Sequence, residues 1–277
     1  MPLQQKVMKM LIPRSFLAGS SAKAAVLLAA GALALTGCSS TGGSTTTESG
    51  VKLIESGKLT VCSDLPYEPF EFVKDGKNVG FDMDLASEIA KDLKVEPNVL
   101  TVAFEGIQSG QALNTAQCDV AVSGISITES RKTVMDFSTP YLDDDLSLLA
   151  TKASGLKSLD DLKGKKVGVQ QGTTGEEYAK GKGLETIQYE NTGLLIQAIK
   201  TGGVDAAINN QSVLGFAAKG DDTLVFAETY KTGEQLGVAV KKDNKSMTDS
   251  VNKTLKRLAD DGTMTKLKTT WFGAAAK

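Results

Sequence analysis

The chain has 277 residues, 41% of them hydrophobic, with 31 Lys and Arg against 33 Asp and Glu, a net charge of −2 and no histidine. That length and apolar content suffice for one large or two medium domains with a sizeable core. The absence of histidine excludes a histidine base and a histidine-ligated metal, and the absence of a basic block argues against nucleic acid as a partner.

Residues 1–37 read as an export signal: Lys6, Lys9, Arg14 and Lys23 occur without an acidic residue, ahead of the apolar run from Ala24 to Leu35. That run is short for a membrane span. Leu35-Thr36-Gly37-Cys38 resembles the lipobox of bacterial lipoproteins, which implies that Cys38 becomes the acylated first residue. Residues 38–50 read as a flexible Ser/Thr/Gly linker with a reach of roughly 20 Å. The expected product is exported and held at the outer face of the bacterial cell membrane through that lipid alone. It keeps 27 basic residues against 33 acidic ones. Its remaining cysteines, Cys62 and Cys118, enter a disulfide-permissive compartment. A bridge and two separate buried thiols are both open, and neither neighbourhood supplies the basic partner that a catalytic thiol needs.

From Gly57 onward the pattern is strand, helix, strand. Lys58–Ser63 predicts a strand, and Asp64 to Phe70 a turn stiffened by Pro66 and Pro69. EFVKDGKNVGF predicts a hairpin around residues 74–77. Asp82 to Leu93 predicts an amphipathic helix with Leu85, Ile89 and Leu93 on one face. Pro97 to Phe104 reads as the next strand, and GIQSGQALNTAQ as a helix returning to a buried strand over Asp119 to Gly124. Ile125 to Thr128 is then a short polar loop, and Glu129 to Met135 a helix with Thr128 at its N-cap. This arrangement turns free N–H groups and the positive end of a helix toward the carboxyl end of the strand, which makes an anion site. Arg131 falls in that first turn, in a chain whose only other arginines are Arg14 and Arg257. A guanidinium grips a carboxylate with two parallel hydrogen bonds. The residues alone leave two readings of Arg131 open, an anion ligand and a surface residue paired with Glu129 or Asp136.

The second half repeats the scheme: a strand over Lys165 to Gln170, a Gly172-Thr173-Thr174 turn, a helix through Tyr178, the strand ETIQYE, the helix LLIQAIKTGG and a strand over Val204 to Asn209. IQSGQALNTAQCDVAVSG and LLIQAIKTGGVDAAINNQ echo one another, so the economical fold is two α/β lobes with ligand chemistry at the carboxyl ends of their strands. Asp145 to Lys152 leads out of the first lobe and Glu234 to Lys242 leads back, and these are expected to pair as two crossing hinge strands. Lobe 1 is therefore expected over residues 51–146 and 238–277, and lobe 2 over 147–237. Two helices close the chain, Met247 to Asp261 and Thr263 to Phe272. Arg257 lies off the apolar stripe of Val251, Leu255 and Leu258 and reads as a solvated charge, whereas Trp271 reads as a packing anchor.

Gly80-Phe81-Asp82-Met83-Asp84-Leu85, followed by Ile89-Ala90 and Leu93, resembles the signature of family 3 extracellular solute-binding proteins, the receptors of polar amino acid ABC importers. The likeness runs from about Lys58 to Gly273. It includes Pro69-Phe70-Glu71-Phe72, Ser126-Ile127-Thr128 with Arg131, Asp136-Phe137-Ser138 with Tyr141, Gly172-Thr173-Thr174 and Trp271-Phe272-Gly273. It implies a periplasmic binding protein type II-like α/β fold whose two lobes close on ligand. By that resemblance Arg131 and the N–H of Ser126 would take the ligand α-carboxylate, joined by Thr173 or Thr174 on closure. The carbonyl of Gly124 and the hydroxyl of Ser126 would hold the α-ammonium, with Ser123 in the same ligand-binding set. Tyr67 and Phe104 would sandwich the aliphatic stem, and Asp64 would accept from the distal polar group with Gln170 opposite. The chain departs from the pattern at Asn210, where amino acid binders of the family usually place an Asp against the α-ammonium. An amide accepts a hydrogen bond but does not neutralise a cation.

The expected function is that of a substrate-binding lipoprotein, a monomer without metal, cofactor or catalytic residue. It would capture a polar amino acid, glutamine or a cationic one by preference, or a close derivative, and deliver it to the subunits of an ABC permease. Two alternatives stand beside this. A periplasmic cyclohexadienyl-type dehydratase on the same fold would need a general acid, for which Asp64 and Glu105 are the candidates. A solute sensor would use the same binding residues, and the lack of a transmembrane or signalling segment after Gly273 counts against it.

Overall fold

The computed structural model describes residues 45–219 and 221–273. The export signal, Cys38 and the linker as far as residue 44 lie outside the described residues. Two five-stranded sheets, each with helices on both faces, form the two lobes. In the first the strand order is Glu96–Thr101, Lys58–Ser63, Val120–Ala121, Ala239–Lys241, Met135–Phe137. In the second it is Thr186–Tyr189, Val167–Gln170, Ala206–Asn210, Leu146–Thr151, Leu224–Tyr230. The left three strands of each are parallel, and the fourth is an antiparallel strand delivered by a hinge crossing. The two halves that echo one another in sequence thus occupy equivalent places, each supplying the third strand of its sheet.

The hinge lies earlier in the chain than the pattern suggests. Leu142–Asp143 pairs antiparallel with Gln235–Leu236. Leu146–Thr151 is already an interior strand of the second sheet, because Leu146, Leu148 and Ala150 fill one core while Leu149 fills the other. A strand buried on both faces belongs inside a sheet. Leu146, expected in lobe 1, therefore belongs to the second sheet.

Other boundaries also shift. Residues 45–50 are not free linker: Thr45–Thr46 pairs antiparallel with Lys52–Leu53, and the Thr47 hydroxyl oxygen accepts from the Val51 N–H at 3.1 Å, which seats Val51 and Leu53 in the core. Phe104 opens the helix Phe104–Gln108 and does not end a strand. The helix expected after it breaks at Gly110, whose φ of +75° and close approach to the Val134 carbonyl, 3.1 Å from a notional Cβ, suit only glycine. The turn Glu129–Lys132 is one helical turn with Thr128 capping it, and Met135, expected to end that helix, starts an edge strand paired to Ala239–Lys241.

Arg257 stays partly solvated, as its position off the apolar stripe predicts, but is not a free charge. It reaches the Phe81–Asp92 helix and pairs with Glu88 at 2.7 Å and Asp92 at 2.9 Å. Beside it Trp271 packs edge-on against Phe72, and its indole N–H donates to Asp84 at 2.8 Å. Cys62 and Cys118 are joined in a disulfide under the first sheet, which resolves the choice that the sequence leaves open.

Candidate functional site

Four parallel strands end at one place. Lys58–Ser63 runs into Asp64 and Tyr67, Val120–Ala121 into Ser123, Gly124 and Ser126, Val167–Gln170 into Thr173, and Ala206–Asn210 ends on Asn210 itself. A ligand in such a fold lies beyond the carboxyl ends of the strands. There the lobes close on a narrow cleft lined by Tyr67, Phe104, Gly124, Ser126, Arg131, Gln170, Thr173, Thr174 and Asn210. Of the expected site residues only Asp64 and Ser123 stand back from the wall.

Arg131 dominates the site. It is 3% exposed. Its Nη1 donates to the Ser126 carbonyl at 2.8 Å within the first lobe, and its Nη2 donates to the Gly172 carbonyl at 2.9 Å in the second. The guanidinium carbon lies 5.2 Å from the centre of the Phe104 ring, within cation–π range. Burial pushes its pKa down, and the charges of Glu177, Glu234 and Glu105 oppose that. Among the described residues it forms no salt bridge. A desolvated cation without a counter-ion is costly, and a guanidinium with three N–H bonds unspent is set to receive an anion.

Gly124 shapes the floor. Its φ is +51°, and a Cβ there would lie 2.6 Å from Cε1 of Tyr67, so the bare backbone lets that ring approach. The Gly124 N–H donates to Asp82 at 2.6 Å, and Tyr141 donates to the same carboxylate oxygen at 3.1 Å. Ser123 donates to Glu71 at 2.7 Å and accepts from the Asp64 N–H at 2.9 Å, so it holds the loop and does not face the cavity. Glu71 and Asp82 are both fully buried and mutually repelling, and burial pushes both carboxyls up.

Side chains clasp the lobes together. Tyr67 donates to Asn210 at 2.8 Å and to Asn209 at 3.1 Å. The Gln170 amide donates to Asp64 at 2.6 Å while its oxygen accepts from Thr192. Burial pushes the Asp64 carboxyl up to about 7, against the Gln170 hydrogen bond, and the charge of Glu190 adds to the rise. Asn210 Nδ2 donates to the Asp144 carbonyl at 3.0 Å. Thr173 caps the helix Thr174–Gly181, accepting from the Glu176 N–H at 3.2 Å and donating to the Gln170 carbonyl at 2.7 Å.

Sequence reasoning missed Glu234. Its Oε2 accepts from Ser126 of the first lobe and from Thr174 of the second, each at 2.7 Å. It immediately precedes the returning hinge strand Gln235–Leu236, and an acidic residue at that junction is the only signal the sequence carries.

The arrangement is matched elsewhere. The profile of the bacterial extracellular solute-binding proteins, family 3, fits residues 59–274. The chain belongs to that family. Among family members, it is 38% identical over 249 residues to the arginine-binding extracellular protein ArtP of Bacillus subtilis (strain 168), covering 86% of this chain and 92% of ArtP. It is 33% identical over 229 residues to the L-cystine-binding protein TcyJ of Escherichia coli (strain K12), covering 80% of this chain and 85% of TcyJ. A solved structure of an ancestral arginine-binding protein bound to arginine superposes with a TM-score of 0.74 at 37% identity, covering 78% of this chain and 99% of that one. The ancestral amino acid-binding protein AncCDT-1, a precursor of cyclohexadienyl dehydratase, gives 0.71 at 36% identity, covering 78% and 95%. The solute-binding fold here is the type II periplasmic one.

Proposed function

We propose that this solute-binding protein captures a free polar amino acid, glutamine or a cationic one by preference, and hands it to the membrane subunits of an ABC importer. The observation that carries this reading is Arg131, buried in the wall of the inter-lobe cavity and forming no salt bridge among the described residues. The ligand α-carboxylate supplies the missing charge, and because Arg131 also reaches Gly172 of the second lobe, occupancy favours the closed state. Tyr67 and Phe104 border the aliphatic stem. Asp64 stands directly behind Gln170, and once that amide turns aside for a ligand it accepts from a distal amide or cation and sets the preference against acidic side chains. The protein is proposed to be exported and anchored through an acylated Cys38, acting as a monomer without cofactor.

A panel of the twenty amino acids, opines and small quaternary amines, read by thermal shift and then calorimetry, tests this. A ligand with an α-carboxylate and a distal donor raises the midpoint by mass action. A panel that selects only acidic side chains, or nothing, contradicts it. The dehydratase reading keeps one feature in its favour, a buried Asp64 whose carboxyl is pushed up to about 7. Turnover of a prephenate-like cyclic acid by the purified protein decides between the two.

A further inference from the structure

We infer that Glu234 selects for ligands carrying an α-ammonium, taking from the hinge the part that Asn210 cannot play from the second lobe. The inference rests on the amino acid reading above. Asn210 is neutral and already engaged once at each end: its Oδ1 accepts from Tyr67 at 2.8 Å and its Nδ2 donates to the Asp144 carbonyl at 3.0 Å. It brings no negative charge to the cavity that it lines.

Glu234 does bring one, through two hydroxyls. Ser126 and Thr174 both line the cavity, one from each lobe. Each hydroxyl has a single proton, and both protons are spent on the same oxygen, Glu234 Oε2, at 2.7 Å. What these hydroxyls turn toward the cavity is therefore lone pairs. Thr173 is committed in the same sense, its proton going to the Gln170 carbonyl. None of the three hydroxyls is left to donate to a ligand carboxylate, a role that falls to Arg131. Instead the Ser126–Thr174 edge is an acceptor surface backed by a carboxylate, and an ammonium is the group that satisfies it. Gly124 lines the same cavity.

Glu234 acts through Ser126 and Thr174 and so is a positioning residue. Closure and selectivity are joined in it, because the same oxygen binds one hydroxyl from each lobe. A ligand that presents a carboxylate or a neutral group to this edge either breaks those two bonds or faces lone pairs.

The test compares L-arginine and L-glutamine with their α-deamino counterparts, 5-guanidinopentanoate and 4-carbamoylbutanoate, by calorimetry on the wild type and on Glu234→Gln. The variant is expected to weaken binding of the amino acids tenfold or more and to change binding of the deamino acids by no more than about twofold. Glu234→Asp, which keeps the charge, retains the preference for the ammonium form to within a few-fold. An equal loss for both ligand types overturns the inference, since it is the result expected if Glu234 served only the fold or the charge of Arg131. Unchanged amino acid binding overturns it too. If Glu234→Gln does not fold, Glu234→Ala takes its place with the same expected split. Should the wild type bind neither amino acid, the reading of the ligand fails, a result distinct from a failure of Glu234 alone.

Discussion

Replacing Asp64 by Asn removes a titrating group from the cleft while keeping its shape and an oxygen that can accept from Gln170. In the folded protein burial holds this carboxyl up at about 7, from an ordinary value of 3.8. A carboxyl whose folded pKa lies above its unfolded one supports folding at low pH, and that support is lost as pH rises through the folded value. Between pH 5 and pH 7 the folded chain keeps a proton that the unfolded chain has given up, and each pH unit costs about 1.4 kcal/mol. The wild type is therefore expected to lose on the order of 3 kcal/mol over that interval through Asp64, a loss that Asp64→Asn does not share. Glu71, Asp82 and Asp144 are also pushed up by burial and slope the stability of both proteins in the same direction, so the quantity to read is the difference between them. Urea unfolding with the disulfide intact, at pH 5 and pH 8, measures it. Asp64→Asn should gain on the wild type by about 3 kcal/mol from the lower pH to the higher. A difference that stays constant with pH refutes the reasoning.

A cation bound beside Asp64 lowers its pKa again, so L-arginine should release a proton on binding near pH 6.5 and bind more tightly as pH rises through about 7. Calorimetry in buffers of differing ionisation enthalpy detects this, and L-glutamine serves as the neutral control. Replacing Cys62 and Cys118 by Ser opens a cross-link between positions 56 residues apart, and chemical unfolding should show a loss of about 4 kcal/mol. Gly124→Ala drives a Cβ to 2.6 Å from the Tyr67 ring at a φ of +51°. It should cost about 1–3 kcal/mol of stability and weaken ligand binding tenfold or more, with the folded spectrum retained.

Much of this was legible from local patterns. Alternating strand and helix signals, with small polar residues at strand ends, place Asp64, Ser126, Gln170 and Asn210 on one rim, and the structure brings those rims together across the cleft. Thr128 reads as a cap and is one, whereas Thr173, read as part of a turn, proves to cap the helix that follows. What was not legible depends on burial and on contacts distant in sequence. The hinge boundary is set by which leucines fill which core, and the sequence shows Leu146–Thr151 only as an apolar run. Arg257 lies off its own helix's apolar stripe, yet its partners Glu88 and Asp92 are over 160 positions away. Glu234 carries no motif at all. Its importance comes from two hydroxyls meeting on one oxygen when the lobes close.

Arg131 is proposed to hold the ligand carboxylate. Titrating the amino acid that the panel selects into the wild type and into Arg131→Ala tests it most directly. Breaking a buried charge pair costs about 3–5 kcal/mol, so the account predicts at least a 100-fold loss of affinity in a variant that remains folded. An affinity within threefold of the wild type would contradict it.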